Sequence, residues 1–302
     1  MSTVIRDNGD MMKTLHIYNR NTTGLQKSMQ KIASGMKIAG AGDDPSNWAV
    51  TQRMRERISA LDQANTNTQN DNSLMKVAEG AISNTIEIIH TLRARAINSA
   101  NDHNTDDERA VIQHEVEQFL WQIDNNAMTT YNGQRLLDGS KAAEGLNFHI
   151  GGEANFSVTL KLGNMTSDAL GLSGLDLSTR EGAVASLGVD NGDGTYSSSK
   201  TVTDADGNTT TIYGMLDTAL NMALAQQSAI GAVEERLGFT SENLTSTSEN
   251  MQSAVSNILD ADLAKEMSGY VKQNILLQSA QFVLSQMNKN AETTLDLLAP
   301  VQ

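Results

Sequence analysis

KIASGMKIAGAGDDPSNW, from Lys31 to Trp48, decides how this chain is put together. Gly35 and the run Ala39-Gly40-Ala41-Gly42 end a helix and permit left-handed backbone. Asp43 or Asp44 supplies an N-cap, and Pro45 fits the first turn of a new helix. The stretch reads as stop, spacer and start: a hinge joining two rod-like helical pieces.

Upstream of it runs a heptad seam, Leu15, Tyr18, Thr22, Leu25, Met29, Ile32 and Met36, with steps alternating between three and four. That spacing marks a helix that must meet a partner helix. Residues 1–12 show no period. Downstream, Pro45 to about Ala100 reads as one helix roughly 80 Å long. Its apolar positions include Val50, Met54, Ile58, Leu61, Leu74, Val77, Ala81, Ile82, Ile86, Ile89 and Leu92. The polar run Asn65–Asn72 is taken as a solvated turn of the same helix. Asn101–Asp107 is a turn, and Thr105 with Glu108 gives a capping box. The helix it starts runs from about Asp106 to Thr130, with Val111, Ile112, Val116, Phe119, Leu120 and Ile123 on its apolar face, and an Asn132-Gly133 turn ends it.

Over 134–212 the character changes to glycine-rich alternation, with strands expected at Leu146–Ile150, Asn155–Leu162, Tyr196–Val202 and Thr209–Tyr213. Asp190–Gly194 and Asp204–Asn208 read as turns. Helix returns at about Leu216 and is expected to stop near Met251. A last helix follows from about Val255 to Leu298, with a seam at Leu263, Met267, Tyr270, Asn274, Leu277, Gln281, Leu284, Asn288, Ala291, Leu295 and Leu298. Val271, Ile275 and Phe282 widen its apolar face, which predicts more than one neighbour. The expected fold is therefore mainly α: a long antiparallel helical bundle or coiled coil of paired N- and C-terminal segments, with a small β-rich middle region.

Composition supports thin helical packing over a large globular core: of 302 residues only 4% are aromatic, and two are proline. There is no cysteine, which excludes disulfides and thiolate metal sites. With 22 basic and 36 acidic residues the net charge is −14, which argues against nucleic acid and anionic membrane as partners. No stretch approaches the ~20 apolar residues of a membrane span, and the N-terminus lacks an apolar signal-peptide core. His114-Glu115 lacks the second histidine of a zinc peptidase, because Gln118 stands there, and the acidic turns lack the closing Glu of a calcium loop. No constellation supports an enzyme, a cofactor or a metal.

Several blocks resemble the bacterial flagellins. Lys31-Ile32-Ala33-Ser34-Gly35-Met36-Lys37-Ile38 is similar to the family's "SSGLRI" pattern, and Ala41-Gly42-Asp43-Asp44-Pro45 through Ala49-Val50 to the "AGDDAAGLAI" that follows. Ala78–Ile82, Ile112–Val116, Tyr131–Leu137, Ile230–Leu237 and Ile258–Asp262 resemble further blocks in the family's order. The likeness covers about 13–140 and 214–298. The chain departs from the family pattern at Trp48, at its N-terminus and at Ala299–Gln302, after the double leucine.

The resemblance implies a structural subunit that polymerises into a helical filament of identical copies, with five segments. Residues 1–43 and 255–302 would form an inner coiled-coil domain. Residues 44–140 and 214–254 would form a helical rod domain, with 141–213 as its β-rich part or a small outer insertion. Assembly would rest on Leu15, Tyr18, Leu25, Met29, Ile32, Met36, Leu263, Met267, Tyr270, Leu277, Leu284, Leu295 and Leu298. Partners implied are an export chaperone, the flagellar export apparatus and hook-associated proteins. Location would be the extracellular flagellum, reached unfolded through the type III channel without a cleaved signal. In many members the helix before the Asn101 turn also binds a Toll-like receptor through an arginine and a leucine. The matching positions carry Thr91 and Arg95, and Glu115 matches a third contact, so weak receptor activation is implied. The hook–filament junction protein, a relative with the same Asp-Asp-Pro, is the alternative; the segment Lys272–Asn288 reads more like flagellin. A membrane-active translocator or adhesin would need a basic helix face that this acidic chain lacks.

Overall fold

The computed structural model describes residues 9–191, 196–197, 199–203 and 209–298. In chain order the elements are α1 (Gly9–Ser34), α2 (Pro45–Ser99), α3 (Asp106–Ala127), the strands β1 (Thr130–Tyr131), β2 (Gln134–Arg135), β3 (Leu146–His149) and β4 (Ser157–Leu160), and α4 (Arg180–Leu187). Then come β5 (Val189–Asp190), β6 (Tyr196–Ser197), β7 (Ser199–Thr203), β8 (Thr209–Tyr213), α5 (Met215–Leu259) and α6 (Leu263–Leu298). The strands pair in sequence order as four antiparallel two-stranded ribbons. The expectation of a mainly helical chain with a small β-rich middle is met. Among the described residues no helix is long and apolar enough to cross a membrane.

Two compact units form: Met1–Ser59 with Ser248–Gln302, and Ala60–Thr247. Their limits fall inside α2 and α5, whereas the sequence placed segment ends in the loops at 43/44 and 254/255. The expected stop near Met251 is absent. Nothing in that sequence breaks a helix, and α5 continues to Leu259, just before Asp260-Ala261-Asp262.

The larger unit has its core between α2, α3 and α5 and the irregular segment after β4. Met75, Ile82, Ile89 and Leu92 of α2 are fully buried with Val116 and Ile123 of α3 and Ile230 and Leu237 of α5. The polar run Asn65–Asn72 is continuous helix, as expected. Its polarity is used: Asn65 accepts a hydrogen bond from the Ser241 hydroxyl at 2.6 Å and donates to Thr245 at 3.3 Å, so amide and hydroxyls join α2 to α5. Val77 and Val111, placed by the sequence on apolar faces, are instead exposed, the latter at 70%.

The capping box at Thr105 and Glu108 forms as read. The Asn132-Gly133 turn closes β1–β2 with both residues at positive φ, 49° and 77°, the backbone that a tight two-residue hairpin needs. Two features were not foreseen. One is α4, capped by the Thr179 side chain, which accepts from the Gly182 amide. The other is the segment 163–179, which has no regular structure yet buries Met165, Leu170, Leu172, Leu175 and Leu177. Side chains of α3 supply the hydrogen bonds this segment lacks. Gln113 receives the Leu177 amide and donates to the Leu175 carbonyl, while Asp124 receives both the amide and the hydroxyl of Ser167. The turn Asp190–Gly194 falls mostly, and Asp204–Asn208 wholly, outside the described residues.

Candidate functional site: the paired terminal helices

The deciding stretch forms a joint. After α1, Gly35 adopts φ +69° and turns the chain. The Lys37 and Ile38 amides then donate to the Leu259 carbonyl at 2.6 and 3.4 Å, and the Ala261 amide donates to the Gly35 carbonyl at 2.9 Å. Asp43 accepts from the Ala39 amide, and Asp44 caps α2 by accepting from the Ser46 and Asn47 amides. These bonds, the Asn47 backbone amide first, hold the Asp44 carboxyl below the usual carboxylate range. Asp262 caps α6 in the same way. Ile38 is buried beside Ile58, Val255 and Leu259 in a small satellite core that Trp48 and Met54 flank. The stop, spacer and start read from the sequence form at Ser34, over 35–44 and at Pro45, and the spacer is tied down as well. Both interhelical turns are stapled to each other through backbone groups, which a single-segment pattern cannot reveal.

From this joint α1 packs along α6 in antiparallel fashion. The Thr14 hydroxyl reaches the Met287 sulfur at 3.7 Å, Tyr18 meets Gln281 at 3.4 Å, and Lys31 pairs with Glu266 at 3.6 Å. The facing residues of α1 keep one heptad position where the sequence put it, at Tyr18, Leu25 and Ile32. The alternate position is shifted by one, to Thr14, Asn21 and Ser28; of these, Asn21 and Ser28 are buried. On α6 the less exposed positions include Tyr270, Asn274, Leu277 and Leu284, as expected, joined by Gln273, Ala280 and Met287, whereas Gln281 and Asn288 are exposed. A Cβ on Gly24 would strike the Gln273 side chain, and one on Gly269 would touch Ser28. Small and polar residues let the two backbones approach. They win the inner register because close approach, more than apolar content, decides what fits between two helices.

The displaced apolar residues face outward. Leu15 and Met29 of α1 and Leu263, Met267, Val271, Ile275 and Phe282 of α6 are exposed, Met29 at 59%, Ile275 at 57% and Phe282 at 72%. On α6 these lie four residues apart from 263 to 275, the spacing of one continuous helix face. Leu15, Met29, Leu263 and Met267 thus stand outside the seam formed by the chain's own helices. Met36, half-buried, belongs to the joint, where it pairs with Asp260. Leu295 and Leu298 fall outside the residues whose side chains are described. Sequence reasoning missed Asn21, Ser28 and Gln273. Their signal was the pair Gly24 and Gly269, which only close helices require.

In the larger unit the structure brings Arg95 and Glu115 together, with an Arg95 Nη2 to Glu115 Oε1 distance of 2.7 Å. Thr91 lies one turn before Arg95 and lines a shallow groove with Asn84, Glu87, Ile88, Gln122 and Asn126.

Against known proteins, residues 5–142 match the model of the bacterial flagellin N-terminal helical region, and residues 213–298 that of the C-terminal helical region. The chain belongs to the bacterial flagellin family. Within the family it is 33% identical to the flagellin of Bacillus subtilis (strain 168), over 97% of this chain and 99% of that protein. It is 34% identical to the flagellar filament 33 kDa core protein of Treponema phagedenis, over 98% and 99%. A crystal structure of Bacillus cereus flagellin aligns with 63% of this chain and 94% of its own, at 23% identity and a TM-score of 0.45. The two matched regions contain all of α1, α2 and α3 and all of α5 and α6. Flagellin-family membership therefore covers the stapled joint and the paired terminal helices alike.

Proposed function

We propose that this chain is a structural subunit of a bacterial flagellar filament, joined to further copies through the outward apolar face of α1 and α6. The observation that carries this reading is the division of labour between the two registers. The chain's own helices use Tyr18, Leu25, Ile32, Leu277 and Leu284, with small and polar residues between them, for each other, and leave Leu15, Met29, Leu263, Met267, Val271, Ile275 and Phe282 for another partner. Covering such a face contributes ~25 cal/mol per Å² of apolar area. Repeated contacts between unlike surfaces do not close and generate an open helical lattice. The role is mechanical, with no catalytic step.

As a member of this family the subunit would reach the filament unfolded through the flagellar export channel, handed over by an export chaperone, and would follow hook-associated proteins onto the growing structure. The pairing of Arg95 with Glu115, and Thr91 in place of an arginine, support weak activation of a Toll-like receptor. Full-length relatives named as flagellin or filament core protein favour the filament over the hook–filament junction. Electron microscopy of the purified chain after seeding tests the choice. Long uniform filaments are expected; short caps or persistent monomers would overturn it in favour of the junction reading.

A further inference from the structure

We propose that the outward thioethers of the terminal helix pair, Met12 and Met29 on α1 and Met267 on α6, are an oxidation site, at which peroxide converts an assembly-competent subunit into an incompetent one. The inference rests on the filament reading above. The chain contains 14 methionines and no cysteine, so its thioethers are the only sulfur that an oxidant meets. They divide sharply by environment. Met75 and Met165 are buried in the core of the larger unit, and Met54 and Met251 flank the satellite core. Met287 lies in the inner seam, where it accepts the Thr14 hydrogen bond. Met12, Met29 and Met267 are exposed at 58%, 59% and 48%, with Leu15, Leu263 and Val271 around them in sequence and equally outward.

The chemistry is a two-electron oxygen transfer. The thioether sulfur attacks one peroxide oxygen, an S–O bond forms, and the O–O bond breaks. The methionine becomes its sulfoxide, and hydrogen peroxide is reduced to water. The product carries a strong acceptor oxygen on a once-apolar side chain. In the single chain this costs nothing, since the residue is already in water. In a contact that buries it among leucine and valine side chains, the new oxygen is left without a donor, which is worth about a tenfold loss of affinity at each contact or more. Subunits already in a filament have these sulfurs covered. The site therefore acts on the free subunit and spares the polymer. The change is reversible by methionine sulfoxide reductases, with a dithiol as electron donor.

The test treats the full chain with hydrogen peroxide, maps added oxygen by peptide mass spectrometry, and measures elongation from seeds of untreated filament. Met12, Met29 and Met267 should gain oxygen well before Met75 and Met165, circular dichroism should be unchanged, and elongation should fall at least about tenfold. Reductase treatment should restore it. Met128 and Met222, exposed on the larger unit, will also oxidise. The variant with Met12→Leu, Met29→Leu and Met267→Leu separates the sites, because it should elongate equally with and without peroxide. Undiminished elongation of chains oxidised at Met29 and Met267, or equal loss in the leucine variant, would overturn the proposal. Failure of untreated chain to elongate would overturn the filament reading instead, and oxidation of Met75 as fast as Met29 would by itself reject the assigned site.

Discussion

Gly24 and Gln273 oppose each other across the terminal helix pair so closely that a Cβ at position 24 would lie 2.8 Å from the Gln273 side-chain nitrogen. The Gln273 amide oxygen is buried and, among the described residues, has no hydrogen-bond partner, so its head group has little to lose by moving. Gly24→Ala gains up to ~1 kcal/mol of helix propensity and displaces only that head group. It should stay within about 1 kcal/mol of the parent in chemical unfolding followed by circular dichroism. Gly24→Leu has no such escape. It should force α1 from α6 and abolish seeded elongation.

The two registers predict opposite behaviour for neighbouring positions on α6. Phe282→Asp changes an outward residue, so the free chain should unfold as the parent does while elongation is lost. Leu284→Asp puts a charge into the inner seam beside Tyr18, in the wall it shares with Gln281 and Asn288. It should lower the stability of the helix pair by about 2–3 kcal/mol as well as prevent assembly. Normal filaments from Phe282→Asp would show that the outward face is not the assembly surface.

Arg109 closes the end of α2 from the next helix. Its side chain is buried, and its guanidinium donates to the carbonyls of Ser99 at 2.9 Å and Asn101 at 3.0 Å while pairing with Asp106 at 2.8 Å. Arg109→Met keeps the stem but takes the guanidinium from both carbonyls, and Asn101 alone keeps another donor, the Asn104 amide at 3.3 Å. A loss of about 2–3 kcal/mol is expected in urea unfolding.

Asp71 gives a pH dependence. Burial pushes its carboxyl up to about 6 in the folded chain. Between the ordinary aspartate value and that figure the folded chain holds a proton that the unfolded chain has released, so this group's contribution to stability falls as pH rises through the window. Asp71→Asn removes the penalty. It should raise stability at pH 7 by up to about 1 kcal/mol, allowing for partial solvation, and leave stability near pH 3.5 unchanged.

The receptor region yields a last expectation. In a reporter-cell assay the soluble chain should activate a flagellin-recognising Toll-like receptor weakly. The double change Thr91→Arg with Arg95→Leu should raise activation by roughly tenfold, the worth of one good interfacial contact. Full potency of the unaltered chain would refute the assignment.

What the sequence disclosed follows from the range of each interaction. Capping at Thr105, the Asn132-Gly133 turn, the start at Pro45 and the long helical runs depend on residues a few positions apart, and all were legible. The apolar positions Tyr18, Leu25, Ile32, Tyr270, Leu277 and Leu284 were legible because both registers share them. Thr14, Asn21, Ser28 and Gln273 were not. Hydrophobicity alone favours the outer register, and only the presence of α6 opposite α1 makes small size decisive. The irregular segment 163–179 was unreadable for a similar reason: Gln113 and Asp124, which complete its hydrogen bonding, are far away in the chain.

The staple between Gly35–Ile38 and Leu259–Ala261 also sets a timetable. The unit that carries the outward face takes one strand of its pairing from the start of the chain and the other from the end. While synthesis proceeds, the emerged N-terminal portion has nothing to pair with, and closing so long a loop carries an entropic cost that local helix formation does not offset. That unit therefore cannot close until α6 has been made, whereas the larger unit needs nothing beyond Thr247.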